Sequence, residues 1–180
     1  PLCLVGSEMC IRDRQDSIKY SVSGWDKKNR DDLKSLLTSS GNWPFIHQRP
    51  YGTIANPTDT PKAIFVSTVK TDPLHGDLQF ILKDQKNDFQ LGINLLNKLV
   101  DQPVFLGVEK EFSDYFESIE GVQHYTVMGP HPAGNLSLHI QELTPLNIGE
   151  RIWTVNAEDV ANLGRFLSSG IFCPRRTVAI

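Results

Sequence analysis

From residue 63 onward the chain alternates, about five times, between short apolar runs of strand type and longer runs with helical spacing. Few folds satisfy that pattern. Strands that each hand over to a helix pair in parallel, and the helices cover both faces of the sheet. Residues 63–69 (AIFVSTV), 103–108, 122–128, 151–155 and 175–180 read as the strands. Between them, 77–100 carries Leu78, Ile81, Leu82, Phe89, Ile93, Leu96 and Val100 at the spacing of one or two amphipathic helices. Residues 113–119 suit one or two helical turns, and 133–143 a helix with Leu136, Ile140 and Leu143 on one side. Asn156 is placed to cap a helix with Val160, Leu163 and Leu167 on its buried face and Gly170 at its end. The expected fold is therefore α/β: a parallel sheet with helices on both faces.

One junction stands out. Residues 129–134 read Gly-Pro-His-Pro-Ala-Gly, between the third strand and the helix that follows. Two prolines and two glycines in six residues neither extend a strand nor sit inside a helix. The chain must turn sharply and stiffly at the carboxyl end of a strand, where ligands of α/β proteins bind. Gly129, His131 and Gly134 are candidate ligand-binding residues on this ground. A tight structural turn is the alternative. Held between two prolines at a helix start, the His131 imidazole could donate to an anionic or carbonyl group, or bond the neighbouring backbone.

Residues 1–14 (PLCLVGSEMCIRDR) lack an initiator Met and hold two of the three cysteines and one of the two methionines. They have neither the basic start nor the long apolar run of a signal peptide. The stretch VGSEMCIRDR resembles translated sequencing-adapter read-through, so 1–14 is expected to be a non-native leader making few contacts. Residues 15–60 are expected to hold a linker, a short helix and a proline-rich crossing, with 61–180 forming the α/β domain. The helix is marked by Asn29 as N-cap, Asp31 and Asp32 in the first turn, Leu33, Leu36 and Leu37 on one face, and Gly41 at the end. Pro44, Pro50, Pro57 and Pro61 make 42–61 stiff and irregular in expectation.

The remaining residues exclude more than they assert. No apolar run approaches the ~20 residues of a membrane span. A net charge of −3 without a basic stripe argues against a nucleic-acid partner. Neither GxxxxGK[ST] nor a post-strand GxGxxG is present, and there is no GxSxG elbow. Cys173, the only cysteine beyond the leader, is expected as a strand-end core residue. His124, His131 and His139 are spaced by seven and eight residues, which suits no zinc motif. No catalytic or metal-ligating set emerges. Arg49, beside Pro50, could clamp a carboxylate or phosphate, or pin the crossing to a backbone carbonyl.

The stretch SGNWPFIHQRPYGTIANPTDTPKAIFVSTVKTDPL (40–74), the loop GPHPAG, IWTVNAEDVANLG (152–164) and RRTVAI (175–180) resemble the central part of the A subunit of the Na+-translocating NADH:quinone oxidoreductases. The resemblance implies a Rossmann-like α/β domain, a parallel sheet with helices on both faces, similar to the flavin-binding domain of complex I's NADH-oxidising subunit. In those relatives a glycine-rich loop stands where this chain has Gly41-Asn42-Trp43-Pro44-Phe45. Bulky side chains and a missing amide there argue that flavin is not bound. The resemblance further implies a peripheral place on the cytoplasmic side of the bacterial inner membrane, against the membrane-embedded B subunit. It implies a structural and quinone-binding role in a complex that uses NADH, flavins, iron–sulfur centres and quinone, with no cofactor held by this domain. Trp43 joins the candidate ligand-binding residues on this ground. The rival expectation is a flavin- or NADH-binding electron-transfer module of the Rnf or complex I type.

Overall fold

The computed structural model describes residues 18–73, 75–109 and 114–177. The leader 1–14 lies outside the described residues. Helix α1 (Arg30–Ser39) starts at Asn29, whose side chain accepts from the Asp32 amide, and buries Leu33 and Leu37. The alternation then unfolds as expected: β3 (Ile64–Ser67), α2 (Leu78–Leu82), α3 (Lys86–Leu99), β4 (Val104–Glu109), α4 (Asp114–Glu117), β5 (Gln123–Val127), α5 (Leu136–Leu143), β6 (Ile152–Asn156) and α6 (Ala157–Ser169). The apolar runs become strands because they are rich in β-branched and aromatic residues and bounded by turn residues. Gly170 ends α6 in the left-handed conformation (φ 73°) that glycine adopts without a Cβ penalty.

Strands β3 to β6 are mutually parallel in the order β6-β3-β4-β5. The sheet is nevertheless mixed. The proline-rich crossing, expected to be irregular, forms β1 (His47–Arg49) and β2 (Thr53–Ile54), which add an antiparallel pair beyond β6. The prolines permit this because Pro44 sits in a one-turn 3-10 helix (Trp43–Phe45) and Pro50 at the turn, so neither interrupts the ladder. Conversely, 175–177 form no strand, contrary to expectation, and 178–180 lie outside the described residues. Side-chain bonds claim that segment instead. Asn162, buried on α6, accepts from the Arg175 amide (3.1 Å) and donates to its carbonyl (3.0 Å).

The two faces of the sheet are unequally covered. Ile64, Val66, Trp153 and Val155 face a large cluster with α1, α2, α3 and α6. The alternate residues Phe65 and Ile152 face a small one, closed by Leu136 and Ile140 of α5. Helices α3 and α6 touch backbone to backbone: a Cβ at Gly92 would lie 2.1 Å from the Val160 carbonyl oxygen, and one at Gly164 1.7 Å from that of Asp88. Residues 18–28, within the stretch expected to begin with a linker, pack against the core through Tyr20, Val22 and Trp25. Tyr20 meets Phe166 edge-on, and its amide bonds the Gly170 carbonyl at 2.7 Å. Cys173, expected in the core, is exposed.

Candidate functional site

Strand β3 is the first of the parallel set; β4 lies on one side of it and β6 on the other. The direction of winding therefore reverses between β3 and β6, and the loops leaving their carboxyl ends diverge and open a crevice. That crevice has a volume of about 230 Å³. Ser67 of β3 and Asn156 of β6 form its floor; Lys70 and Asp72 come from the loop after β3. Arg49 and His47 enter from β1, and His131 and Gly134 from the loop before α5. Register explains how β1 reaches it. His47 pairs with Thr154 and Arg49 with Ile152, so both arginine and histidine project on the α5 side of the sheet.

The GPHPAG loop is held there by close packing. The Gly134 amide donates to Thr71 Oγ1 (3.0 Å), and a Cβ on Gly134 would lie 2.8 Å from the Thr71 nitrogen. Glycine is required by that approach. His131 Nδ1 lies 3.3 Å from Thr71 Oγ1 and 3.5 Å from Asp72 Oδ1, so its ring faces the loop after β3 rather than its own backbone. Behind the loop, His139 Nε2 donates to the Ala133 carbonyl (2.6 Å). A carbonyl only accepts, so this nitrogen carries a proton, and Nδ1 is left to take the Tyr125 hydroxyl at 3.0 Å. Burial pushes the Tyr125 phenol well above its ordinary value, which keeps that hydroxyl protonated. Sheet, helix and loop are thereby joined through one imidazole.

Arg49 is the least satisfied group in the crevice. Its Nε is shielded from solvent and has no hydrogen-bond partner among the described residues. It does not pin the crossing to a carbonyl. Lys70, half-buried, likewise makes no ion pair among the described residues. In the neighbouring cavity, which shares Ser67, Lys70 and Asn156 with the crevice, Arg176 bonds Asp159 at 2.6 Å and approaches Glu158 at 3.5 Å. Burial alone would lower the Arg176 value, but the two carboxylates outweigh it and hold the guanidinium above the ordinary arginine range. Asn156 stands at the N-cap of α6 but turns its amide to Asp159 (3.2 Å).

Three of the five candidate residues thus come together: Arg49, His131 and Gly134. Gly129 does not line the crevice; its φ of 119° makes it the bend that turns the chain out of β5. Trp43 is 3 % exposed on the opposite face, donating Nε1 to the Ala55 carbonyl (2.6 Å) and meeting Trp153 edge-on at 5.5 Å. Phe45 stacks on Phe172 at 6.0 Å. Trp43, expected as a ligand-binding residue, is a core residue instead. Lys70 and His47 escaped sequence reading. The signal for Lys70 was position: Lys70-Thr71-Asp72 directly follows the first strand of the alternation. The three histidines of the chain's second half are separated. His124 Nε2 bonds the Phe116 carbonyl (2.9 Å), and no cluster able to hold a metal occurs among the described residues.

Fold and crevice together define an open-sheet α/β domain with a polar cleft at its switch point and no glycine loop beside it. The chain belongs to the family described as the NqrA second alpha/beta domain, whose model matches residues 28–172. It is 30% identical over 175 residues to the A subunit of the Na(+)-translocating NADH-quinone reductase of Alcanivorax borkumensis, covering 94% of this chain and 39% of that protein. The corresponding protein of Rhodopirellula baltica is 32% identical over 151 residues (84% of this chain, 33% of that protein). That of Tolumonas auensis is 32% identical over 162 residues (90% and 36%). The chain therefore spans between a third and two fifths of these relatives. Among solved structures, it resembles a chain from the crystal structure of an NAD+-reducing [NiFe]-hydrogenase in the H2-reduced state. The TM-score is 0.55 at 12% identity, over 78% of this chain and 31% of that one. At that identity the likeness concerns the fold alone. No helix among the described residues is long and apolar enough to cross a membrane.

Proposed function

We propose that the chain is a peripheral, non-catalytic domain of the A subunit in a Na+-translocating NADH:quinone reductase, with a structural and quinone-binding role. In this reading it sits on the cytoplasmic side of the bacterial inner membrane and docks on the membrane-embedded B subunit. NADH, flavins and iron–sulfur centres are handled by other parts of the complex. Family membership over residues 28–172 is the observation that carries it. The fold is read as Rossmann-like, akin to flavin-binding domains but without their phosphate cradle.

The backbone at 41–45 supports that last point. A flavin phosphate needs free main-chain donors. Here the Gly41 amide bonds Thr38 (3.2 Å), Asn42 bonds Leu37 (2.9 Å) and Phe45 bonds Asn42 (3.2 Å), all on carbonyl oxygens, and Pro44 has no N–H. These donors are spent on ending α1 and forming the following turn. This weighs against the flavin- or NADH-binding alternative. Quinone carbonyl oxygens would accept from Arg49 and His131 in the crevice beside Gly134, with Gly129 shaping the loop. Photolabelling of the assembled complex with a reactive quinone tests this. Labels on the 47–49, 70–72 or 129–135 segments support it, and labels confined to other parts of the complex refute the quinone assignment.

A further inference from the structure

The crevice has a charge pattern that a neutral quinone does not explain. Arg49 lines the cleft beside His47 on the same sheet face, and its Nε is water-shielded and unpartnered among the described residues. Lys70 comes in from the loop after β3 and His131 from the loop before α5. Asp72 is the one carboxylate on the lining, and His131 Nδ1 already stands 3.5 Å from it. Two permanent cations therefore face one carboxylate, in a cleft whose wall includes Asn135 and Leu136 at the positive start of α5. A buried donor is almost always paired in a native protein. A guanidinium pairs best with a planar or tetrahedral oxyanion, through two parallel N–H donors. A quinone carbonyl would satisfy one donor and leave the second charge uncompensated. At about 230 Å³ the cleft is smaller than the roughly 300–1,000 Å³ of drug-sized ligand sites, so it suits a charged group rather than a whole dinucleotide.

We propose that the crevice at the carboxyl ends of β3 and β6 binds a small oxyanion, a carboxylate or phosphate, with Arg49 as its fork donor and Lys70 and His131 closing over it. The inference rests on the crevice being a ligand site and not on quinone being its ligand. The two fail separately in one experiment. The 180-residue chain is titrated with inorganic phosphate, with acetate and with a water-soluble short-chain quinone, at constant ionic strength made up with chloride, and followed by 1H–15N spectra. The expected result is saturable shifts of the Arg49 Nε–Hε signal and of the Lys70, His131, Gly134 and Asn135 amides with phosphate or acetate. Arg49→Gln should weaken this binding about tenfold or more, the loss expected for one charge-assisted hydrogen bond, with Arg49→Lys between the two. Should Arg49→Gln not fold, Lys70→Met serves, and the Arg49 Nε signal of the unaltered chain remains the direct readout. Shifts scattered over surface lysines, or affinity unchanged in Arg49→Gln, would overturn the proposal. Quinone shifts without oxyanion shifts would overturn it while leaving the quinone reading intact. Oxyanion shifts alone would do the reverse.

Discussion

Gly134→Ala is the sharpest probe of how the crevice is built. Gly134 has an ordinary backbone conformation, so alanine meets no dihedral strain, and stiffening the unfolded chain would by itself stabilise by about 0.4–1 kcal/mol. The native side opposes this. The new methyl would lie 2.8 Å from the Thr71 nitrogen, 2.9 Å from Thr71 Oγ1 and 3.1 Å from the Val69 carbonyl oxygen. Two of these three are backbone atoms next to a buried strand and cannot swing aside. The loop must retreat by about 0.7 Å to reach ordinary contact distance, which stretches the Gly134–Thr71 bond of 3.0 Å beyond usefulness. Overpacking of this kind costs about 1–3 kcal/mol, and the lost bond about 1 kcal/mol more. The net expectation is a destabilisation of about 1–3 kcal/mol, or roughly 3–10 °C in Tm for a domain of this size. Denaturant unfolding followed by tryptophan fluorescence measures it. The same variant should weaken oxyanion binding, because His131 moves off Thr71 and Asp72. A variant as stable as the parent, with the His131 and Thr71 signals unmoved, would refute the claim that the two loops are locked together here.

Other perturbations follow from the same geometry. Gly164→Ala places a methyl 1.7 Å from the Asp88 carbonyl oxygen in the α3–α6 contact; it should cost about 3 kcal/mol or more, read as a large fall in denaturation midpoint. Trp43→Ala should cost about 3–5 kcal/mol through core loss, whereas Trp43→Phe should leave oxyanion titration at the crevice unchanged, because Trp43 lies on the other face. Glu150 is held below the ordinary glutamate range first by the Asn147 amide (2.8 Å) and then by Lys62 (2.8 Å). Its folded value is depressed, so its contribution is complete above the unfolded value of ~4.3 and disappears as pH falls through the folded value. Glu150→Gln should flatten the acid side of the stability–pH curve, measured as denaturation midpoints from about pH 3 to pH 6.

Which parts of this were legible in the sequence has a physical explanation. The alternation from residue 63 placed β3 to β6 and their helices, because burial on one or both faces imposes a period that residue types record. Asn29 and Gly170 marked helix ends through capping chemistry. The β1–β2 hairpin was not legible. Strands of three and two residues are too short to carry a period, and four prolines masked them; the turn at Pro50-Tyr51-Gly52 was the one available signal. At 175–177 the expected strand start is absent for the opposite reason, since Asn162 and Asp159 capture Arg175 and Arg176 by side chain. The GPHPAG loop was located correctly at a strand's carboxyl end. Its partners were not, because strand order decides which loops meet, and order leaves no local trace. Trp43 was misplaced for a related reason. An aromatic just after a helix end reads the same whether it faces a cleft or, as here, Trp153 in the core.

The most direct test of the proposed function is kinetic. In the Na+-translocating complex proposed above, the full-length protein would carry Arg49→Gln, and the rate of NADH-driven quinone reduction would be measured against each substrate in turn. The quinone-binding reading predicts a raised KM for a short-chain quinone with the KM for NADH unchanged. A raised KM for NADH, or no change in either, would contradict it.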